Sequence, residues 1–237
     1  MMASTVIVIA SRGDGAAREF VERYAAAGAR LMTPKDLSVT GWCHRPGTID
    51  TSTAVVAGQP LAPGDITGVI TRLACVAEYD LDYIVPADRT YVAAEMTALL
   101  RCWLAELPCP ILNPPTPNCL SGPYWSHAKW VFTAGRLGLP ITPVCRRLTR
   151  STAVAALSEV QTTALPVTVV GSRCFGEVHP ILGQQARQLA DAAGVDLLTV
   201  YFSGSEPGSG FVRADLWPDM TQDEVASAIF THIGGEP

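Results

Sequence analysis

The sequence has little charge, no long apolar run and no paired cysteines, and each absence closes a class of function. Charged residues are 16% of the 237, and the net charge of −5 contains no basic block. Scattered Lys and Arg cannot lay down the positive stripe that a phosphate backbone needs, so no nucleic-acid partner is expected. No apolar run approaches the roughly 20 residues that span a bilayer. The first strand-like segment, TVIVIA, carries neither a charged leader nor a cleavage site. A cytoplasmic protein without a membrane partner is the expectation.

The seven cysteines (Cys43, Cys75, Cys102, Cys109, Cys119, Cys145 and Cys174) are odd in number and form no CxxC. They offer neither a disulfide framework nor a zinc ribbon, and most read as small buried apolar residues. The four histidines, His44, His127, His179 and His232, lie far apart. A metal site could form only by tertiary convergence, so no metal ligand is assigned. G-x-S-x-G, G-x-G-x-x-G and the P-loop lysine motif are also missing, which removes the nucleophile elbow and the two common glycine-rich phosphate cradles.

What remains is a chain that is 48% hydrophobic, long enough to bury a sizeable core as one domain or two. A β-branched run at 6–10 leads through SRGDG into AAREFVERYAAAGA, a strand, a turn and an amphipathic helix closed by Gly28. SRGDG reads as an ordinary strand-to-helix turn with Asp14 as its cap, ahead of a phosphate-cradling one. Short bursts cut by Gly and Pro predict hairpins and then a buried strand at 68–73. A helix is expected over 88–107, with Tyr91, Ala94, Met96, Ala98, Leu99, Cys102, Trp103 and Leu107 on its apolar face and Pro108 as its stop. CPILN is a short buried strand, and HAKWVFTAGRLGL is a helix ended by Gly138.

Beyond it come an extended PITPVCRRL, a helix over 151–160, a strand pair over 167–175 turning at Gly-Ser, and a helix over 182–194. Strands at 195–203 and 210–216 and a helix over 221–233 complete the chain. Strands alternating with helices, without a repeat, point to α/β. Within this frame Arg72 ends an apolar strand and Glu95 lies in the next helix. A buried charge is costly unless paired, so an Arg72–Glu95 ion pair is one reading and a role at the strand's end another.

The segment order resembles the ATP-grasp ligases, in particular the peptide-modifying and glutamate-adding subgroup. The likeness runs through VIVIASRGDGAAREF, GVITRL, YVAAEMTALLRCWLAELPCPILNPP and WSHAKWVFTAGRLGLPITP. It continues more weakly through VTVVGSRCFG, ARQLADAAGVDLLTVYFSG and FVRADLWPDM. It implies an α/β protein with a parallel-sheet, pre-ATP-grasp-like N-terminal domain (1–143) and a truncated ATP-grasp-like C-terminal region (144–237). It aligns Asn113 and Pro114 with the family's "N-P" turn and Lys129 with a lysine opening the next helix. The proline-rich loop between them then becomes an ordered crossover where the two halves meet.

The same likeness marks departures. Magnesium in this family is held by carboxylates and an Asn; at those places the chain has Tyr201, Asp215 and Trp217. Only Asp215 can offer a metal an oxygen from a carboxylate. Only 23 residues separate Pro143 from Val167, without lysine or glycine from Cys145 to Pro166, where the resemblance implies a lid that clamps ATP.

Three readings follow. The first is a non-catalytic homologue without a cofactor, acting as a binding or partner subunit of a full-length ATP-grasp enzyme or a peptide substrate, with homo-oligomerisation open. The second is a carboxylate–amine ligase using ATP and magnesium in a site rebuilt around Asp215, Arg173 and Lys129. The third is an unrelated enzyme using Cys43, His44 or His179 as nucleophile or metal ligand. Arg12, Arg72, Asn113, Lys129, Arg173 and Asp215 are the candidate ligand-binding residues, expected between the halves beside the strand C-terminal ends.

Overall fold

The five buried residues of β1 (Thr5–Ile9) lie at the centre of a parallel sheet. The structure is a computed structural model and describes residues 5–142 and 164–235. Strand β1 pairs with β2 (Ala29–Met32) on one side and β5 (Ile66–Thr71) on the other, and β6 (Ile111–Leu112) forms the far edge, giving the order β2-β1-β5-β6. The side-chain alternation of β1 sends Ile7 and Ile9 to one face and Val6 and Val8 to the other, and both faces are covered. That explains why the segment reads as an uninterrupted apolar run.

Helix α1 (Gly15–Arg23) begins at Asp14, whose Oδ1 accepts the Ala17 N–H at 3.0 Å. The expected cap is therefore present. A short 3₁₀ turn follows and Gly28, at φ 89°, turns the chain into β2. The hairpin of β3 (Ala54–Val56) and β4 (Gln59–Leu61) joins α2 (Arg89–Glu106) on the face of Ile7 and Ile9.

The apolar face of α2 differs from the expected one. Ala93, Met96, Leu100, Trp103 and Leu104 are buried, whereas Tyr91, Ala94 and Ala98 are exposed. Spacings of three and four keep residues on one side of a 3.6-residue helix, and a face drawn as broadly as the expected one wraps past the sheet.

After α3 (His127–Arg136), Ile141 makes a parallel bridge to Phe211. The helix expected over 151–160, with most of PITPVCRRL, lies outside the described residues. A second sheet then forms in the order β10-β9-β7-β8, from β7 (Leu165–Val170), β8 (Arg173–Phe175), β9 (Leu197–Phe202) and β10 (Phe211–Asp215). Its pairings are antiparallel. Gly171, at φ 56°, starts the two-residue turn between β7 and β8, as a tight hairpin requires.

Helices α3 and α4 (Pro180–Ala193) cover one face of this sheet, where Trp130, Leu182 and Leu189 meet Val167, Val200, Phe202 and Phe211. The last helix, α5 (Asp223–His232), lies between the sheets. Its Val225, Ile229 and Phe230 share a core with Val6, Val8 and Ile70 of the first sheet and Val170 and Leu197 of the second. Phe230 stacks on Tyr24 at 4.2 Å and meets Phe20 at 6.2 Å. No helix of the described residues is long and apolar enough to cross a membrane.

Candidate functional site

Of the polar side chains that the sequence singles out, Arg72 and Asn113 lie at the seam between the two sheets. Arg72 leaves the carboxyl end of β5 and its Nε donates to Asp14 Oδ2 at 2.7 Å. Asp14 thus caps α1 with one oxygen and pairs with Arg72 through the other. The side chains are 10% and 19% exposed, and this pair replaces the expected Arg72–Glu95 contact. Glu95 points to solvent, because a residue two turns into α2 on its outer side cannot reach the end of β5. Arg72 Nη1 also donates to the Pro218 carbonyl at 2.9 Å. Arg12 sits exposed on the neighbouring β1–α1 turn, where Ser11 Oγ donates to Asp80 Oδ1 at 2.6 Å.

From the opposite side, Trp217 Nε1 donates to Ser121 Oγ at 3.1 Å. Segment 216–222 therefore meets residues that follow β5 and β6, at the carboxyl ends of the parallel strands. Open α/β sheets commonly bind ligands there. In this chain backbone and indole groups of its own fill part of that crevice.

Asn113, 1% exposed, follows β6. Its Nδ2 donates to the Leu197 carbonyl at 2.8 Å and its Oδ1 accepts the Leu197 N–H at 3.0 Å. Both ends of the carboxamide are committed to the first residue of β9. The loop after it is built rather than loose: Thr116 and Cys119 bridge, Leu120 donates its N–H to the Ala74 carbonyl at 2.9 Å, and Leu120 is fully buried.

The second sheet carries the positions that the resemblance assigns to magnesium. Tyr201 lies opposite Arg213 and Thr199 opposite Asp215 across the β9–β10 pair. Cross-strand partners share a face, so these four side chains lie together. The Arg213 guanidinium sits 3.4 Å from the centre of the Tyr201 ring, and its Nη1 is 3.6 Å from Asp215 Oδ2. Asp215 Oδ1 accepts the Trp217 N–H at 3.0 Å. A phenol ring, a cation and one already paired carboxylate do not make a magnesium site, which needs several free oxygens. The residues present do not fit the ion.

Arg173 and Lys129 do not converge on this face together. Arg173 lies over the Phe175 ring at 4.9 Å and pairs in register with Val170, on the α5 side of the sheet. Lys129 belongs to α3, which covers the other face. Its Nζ lies 5.2 Å from the Trp125 ring and 5.9 Å from that of Phe132.

A cleft of about 620 Å³ lies between β8 and α4, lined among others by Cys174, Phe175, His179, Gln184 and Arg187. Burial pushes the Cys174 thiol up, against the opposing charge of Arg187. His179 Nδ1 accepts the Ile181 N–H at 3.3 Å and caps α4. Cys43 is exposed, and the ring nitrogens of His44 meet Ser52 and Cys102.

No protein-family model matches the sequence, and no curated protein matches it. Solved structures do. The macrocyclase MdnC from Microcystis aeruginosa MRC, bound with precursor peptide MdnA, aligns at TM-score 0.69 and 12% identity over 98% of this chain and 100% of that one. The ATP-grasp ligase PsnB complexed with a minimal precursor aligns at TM-score 0.62 and 11% identity, over 98% and 99%. The macrocyclase MdnB, also from Microcystis aeruginosa MRC, gives TM-score 0.53 and 15% identity over 98% and 100%. The chain has an ATP-grasp-like fold.

Within that ATP-grasp-like fold, Arg213 is the residue that sequence reasoning passed over. The signal is in the alternation of FVRAD, which puts Arg213 and Asp215 on one face two residues apart. The partner Tyr201 becomes visible only with the strand register.

Proposed function

We propose that the protein is a peptide-binding partner in an ATP-grasp peptide-modification system, without ligase turnover of its own. The observation that carries the reading is the Arg213 guanidinium, 3.4 Å over Tyr201 and 3.6 Å from Asp215, at the positions where the resemblance expects magnesium ligands. A fixed cation repels a divalent one, and the neighbouring ring offers no carboxylate. The short, lysine-free and glycine-free stretch before β7 supports the same reading, as do structural neighbours crystallised with precursor peptides. In this reading residues 1–143 are the pre-ATP-grasp-like domain and 144–237 the truncated region. The partner is a precursor peptide, or a complete ATP-grasp ligase acting on one.

The experiment combines two measurements on the purified chain. Calorimetry with ATP, ADP and a slowly hydrolysed analogue in magnesium buffer is expected to give no heat, and ADP release is expected to stay at background. Titration with the precursor peptide from the same gene neighbourhood, or with the ligase encoded beside it, is expected to give saturable binding. Saturable, magnesium-dependent ATP turnover by the chain alone would overturn the proposal in favour of a rebuilt ligase.

A further inference from the structure

The fold brings His44 to two side chains that α2 already places together. Cys102 and Glu106 are one turn apart on α2, and His44 comes from the loop before β3. One ligand-type atom from each lies within 4.8 Å of the other two, and all three residues are half-buried. The cluster sits on the α2 side of the parallel sheet, away from the seam and the β9–β10 face.

The two imidazole nitrogens of His44 have different neighbours: Nδ1 lies 3.2 Å from Ser52 Oγ and Nε2 lies 3.4 Å from Cys102 Sγ. In the tautomer with the proton on Nδ1, Ser52 Oγ accepts it and the lone pair of Nε2 faces the thiol. This is the arrangement of a metal-binding histidine whose second nitrogen is oriented by an outer partner. Glu106 supplies a second signal. Its Oε1 accepts the Gly47 N–H at 2.8 Å, while its buried Oε2 has no hydrogen-bond partner. A shielded carboxylate oxygen without a donor is costly, and a cation satisfies it. The loop bearing His44 is itself held, since Cys43 and Thr53 exchange backbone hydrogen bonds at 2.9 and 2.7 Å.

We propose that His44, Cys102 and Glu106 form a binding site for a zinc-class divalent transition metal, with solvent in the fourth position. A nitrogen, a sulfur and a carboxylate oxygen suit a borderline-soft ion and not magnesium or calcium. Bonds of about 2.0–2.3 Å in a tetrahedron place ligand atoms roughly 3.5 Å apart. The His44–Cys102 separation of 3.4 Å already meets that spacing, and a turn of the Glu106 carboxylate brings in the third ligand. On binding, the Cys102 thiol gives its proton to solvent and the thiolate bonds the metal, so occupancy falls in acid. The bound ion ties the loop before β3 to α2.

The test uses the full chain. After incubation with zinc and desalting, elemental analysis is expected to give about one zinc per chain, and cobalt loading to give a thiolate-to-cobalt charge-transfer band. His44→Ala and Cys102→Ser are expected to abolish both, and Ser52→Ala to weaken zinc roughly tenfold. Cys43→Ser is expected to retain both. Circular dichroism checks that each variant folds. If a variant fails to fold, the wild-type protein decides alone: zinc should raise its thermal midpoint and a chelator should reverse the rise. No retained zinc, no rise in midpoint, or retention and a cobalt band unchanged in folded Cys102→Ser would overturn the proposal.

Discussion

Asn113 treats Leu197 as a neighbouring strand would, donating to its carbonyl at 2.8 Å and accepting its N–H at 3.0 Å. A side chain at the edge of the parallel sheet thereby satisfies the backbone at the start of β9 in the antiparallel one. Truncation in Asn113→Ala leaves both groups of Leu197 buried without partners. At about 1–3 kcal/mol per orphaned group, the expected loss is roughly 3 kcal/mol in urea unfolding. Asn113→Asp separates the two bonds. A neutral acid can still donate to the Leu197 carbonyl and a carboxylate cannot, so this variant should lose more stability at neutral pH than at about pH 4.

The Arg72–Asp14 pair ties the ends of β1 and β5 within the first half, and Arg72 reaches the second half through the Pro218 carbonyl. With side chains 10% and 19% exposed, removal of Arg72 leaves a shielded carboxylate and frees the Pro218 carbonyl. Arg72→Ala should cost about 2–3 kcal/mol, below the range for fully buried pairs. Asp14→Asn keeps a helix cap while losing the charge, whereas Asp14→Ala loses both and should be worse by about 1 kcal/mol. A double-mutant cycle between positions 14 and 72 measures the coupling, and coupling near zero would contradict the pairing.

Asp219 gives this seam a pH dependence. The Thr221 hydroxyl and then the Thr221 N–H, both donating to its carboxylate, hold its pKa below the ordinary value; partial burial works against them and the charge of Arg72 helps. A depressed carboxylate stabilises the fold above its unfolded pKa, near 3.8, and this contribution fades as pH falls through the lower folded value. Carboxyl-carbon NMR titration should show the Asp219 midpoint rising in Thr221→Ala and rising less in Arg72→Ala. An unchanged midpoint in Thr221→Ala would remove the assigned cause.

Local patterns were readable because they depend on neighbours in the chain. The apolar run of β1, the cap at Asp14, the glycine after α1 and the Gly-Ser turn between β7 and β8 each follow from backbone sterics or one-turn hydrogen bonding. Partners chosen by topology were not. Arg72 finds Asp14, which precedes it by 58 residues, because β1 and β5 are adjacent and both end at one edge. The β7–β9 pairing was hidden for a similar reason: α4 carries the chain from β8 across to β9, and no local pattern shows that these two strands flank β7 as its antiparallel neighbours. His44 meets Cys102 only through the placement of the β3–β4 region over α2, although the four-residue spacing of Cys102 and Glu106 already puts them on one helical face.

The close approach of α5 to the first sheet depends on Gly68. A Cβ built there would lie 2.2 Å from the Ile233 carbonyl oxygen and 2.7 Å from Ile233 Cβ. Neither atom is the end of a flexible side chain, so Gly68→Ala must push the end of α5 away from β5. That opens the core in which Val225, Ile229 and Phe230 join Val6 and Val8 to Val170 and Leu197. Overpacking against backbone should cost about 3 kcal/mol. In a chain of this size that lowers the thermal midpoint by roughly 6–12 °C. Gly64→Ala is the control: a Cβ there meets nothing within 4 Å, and its effect should stay within about 0.5 kcal/mol. If α5 binds the sheets into one cooperative body, Gly68→Ala lowers a single transition shared by both halves. Two separated transitions, with only the later one unchanged, would mean that the sheets unfold independently and that α5 belongs energetically to one of them.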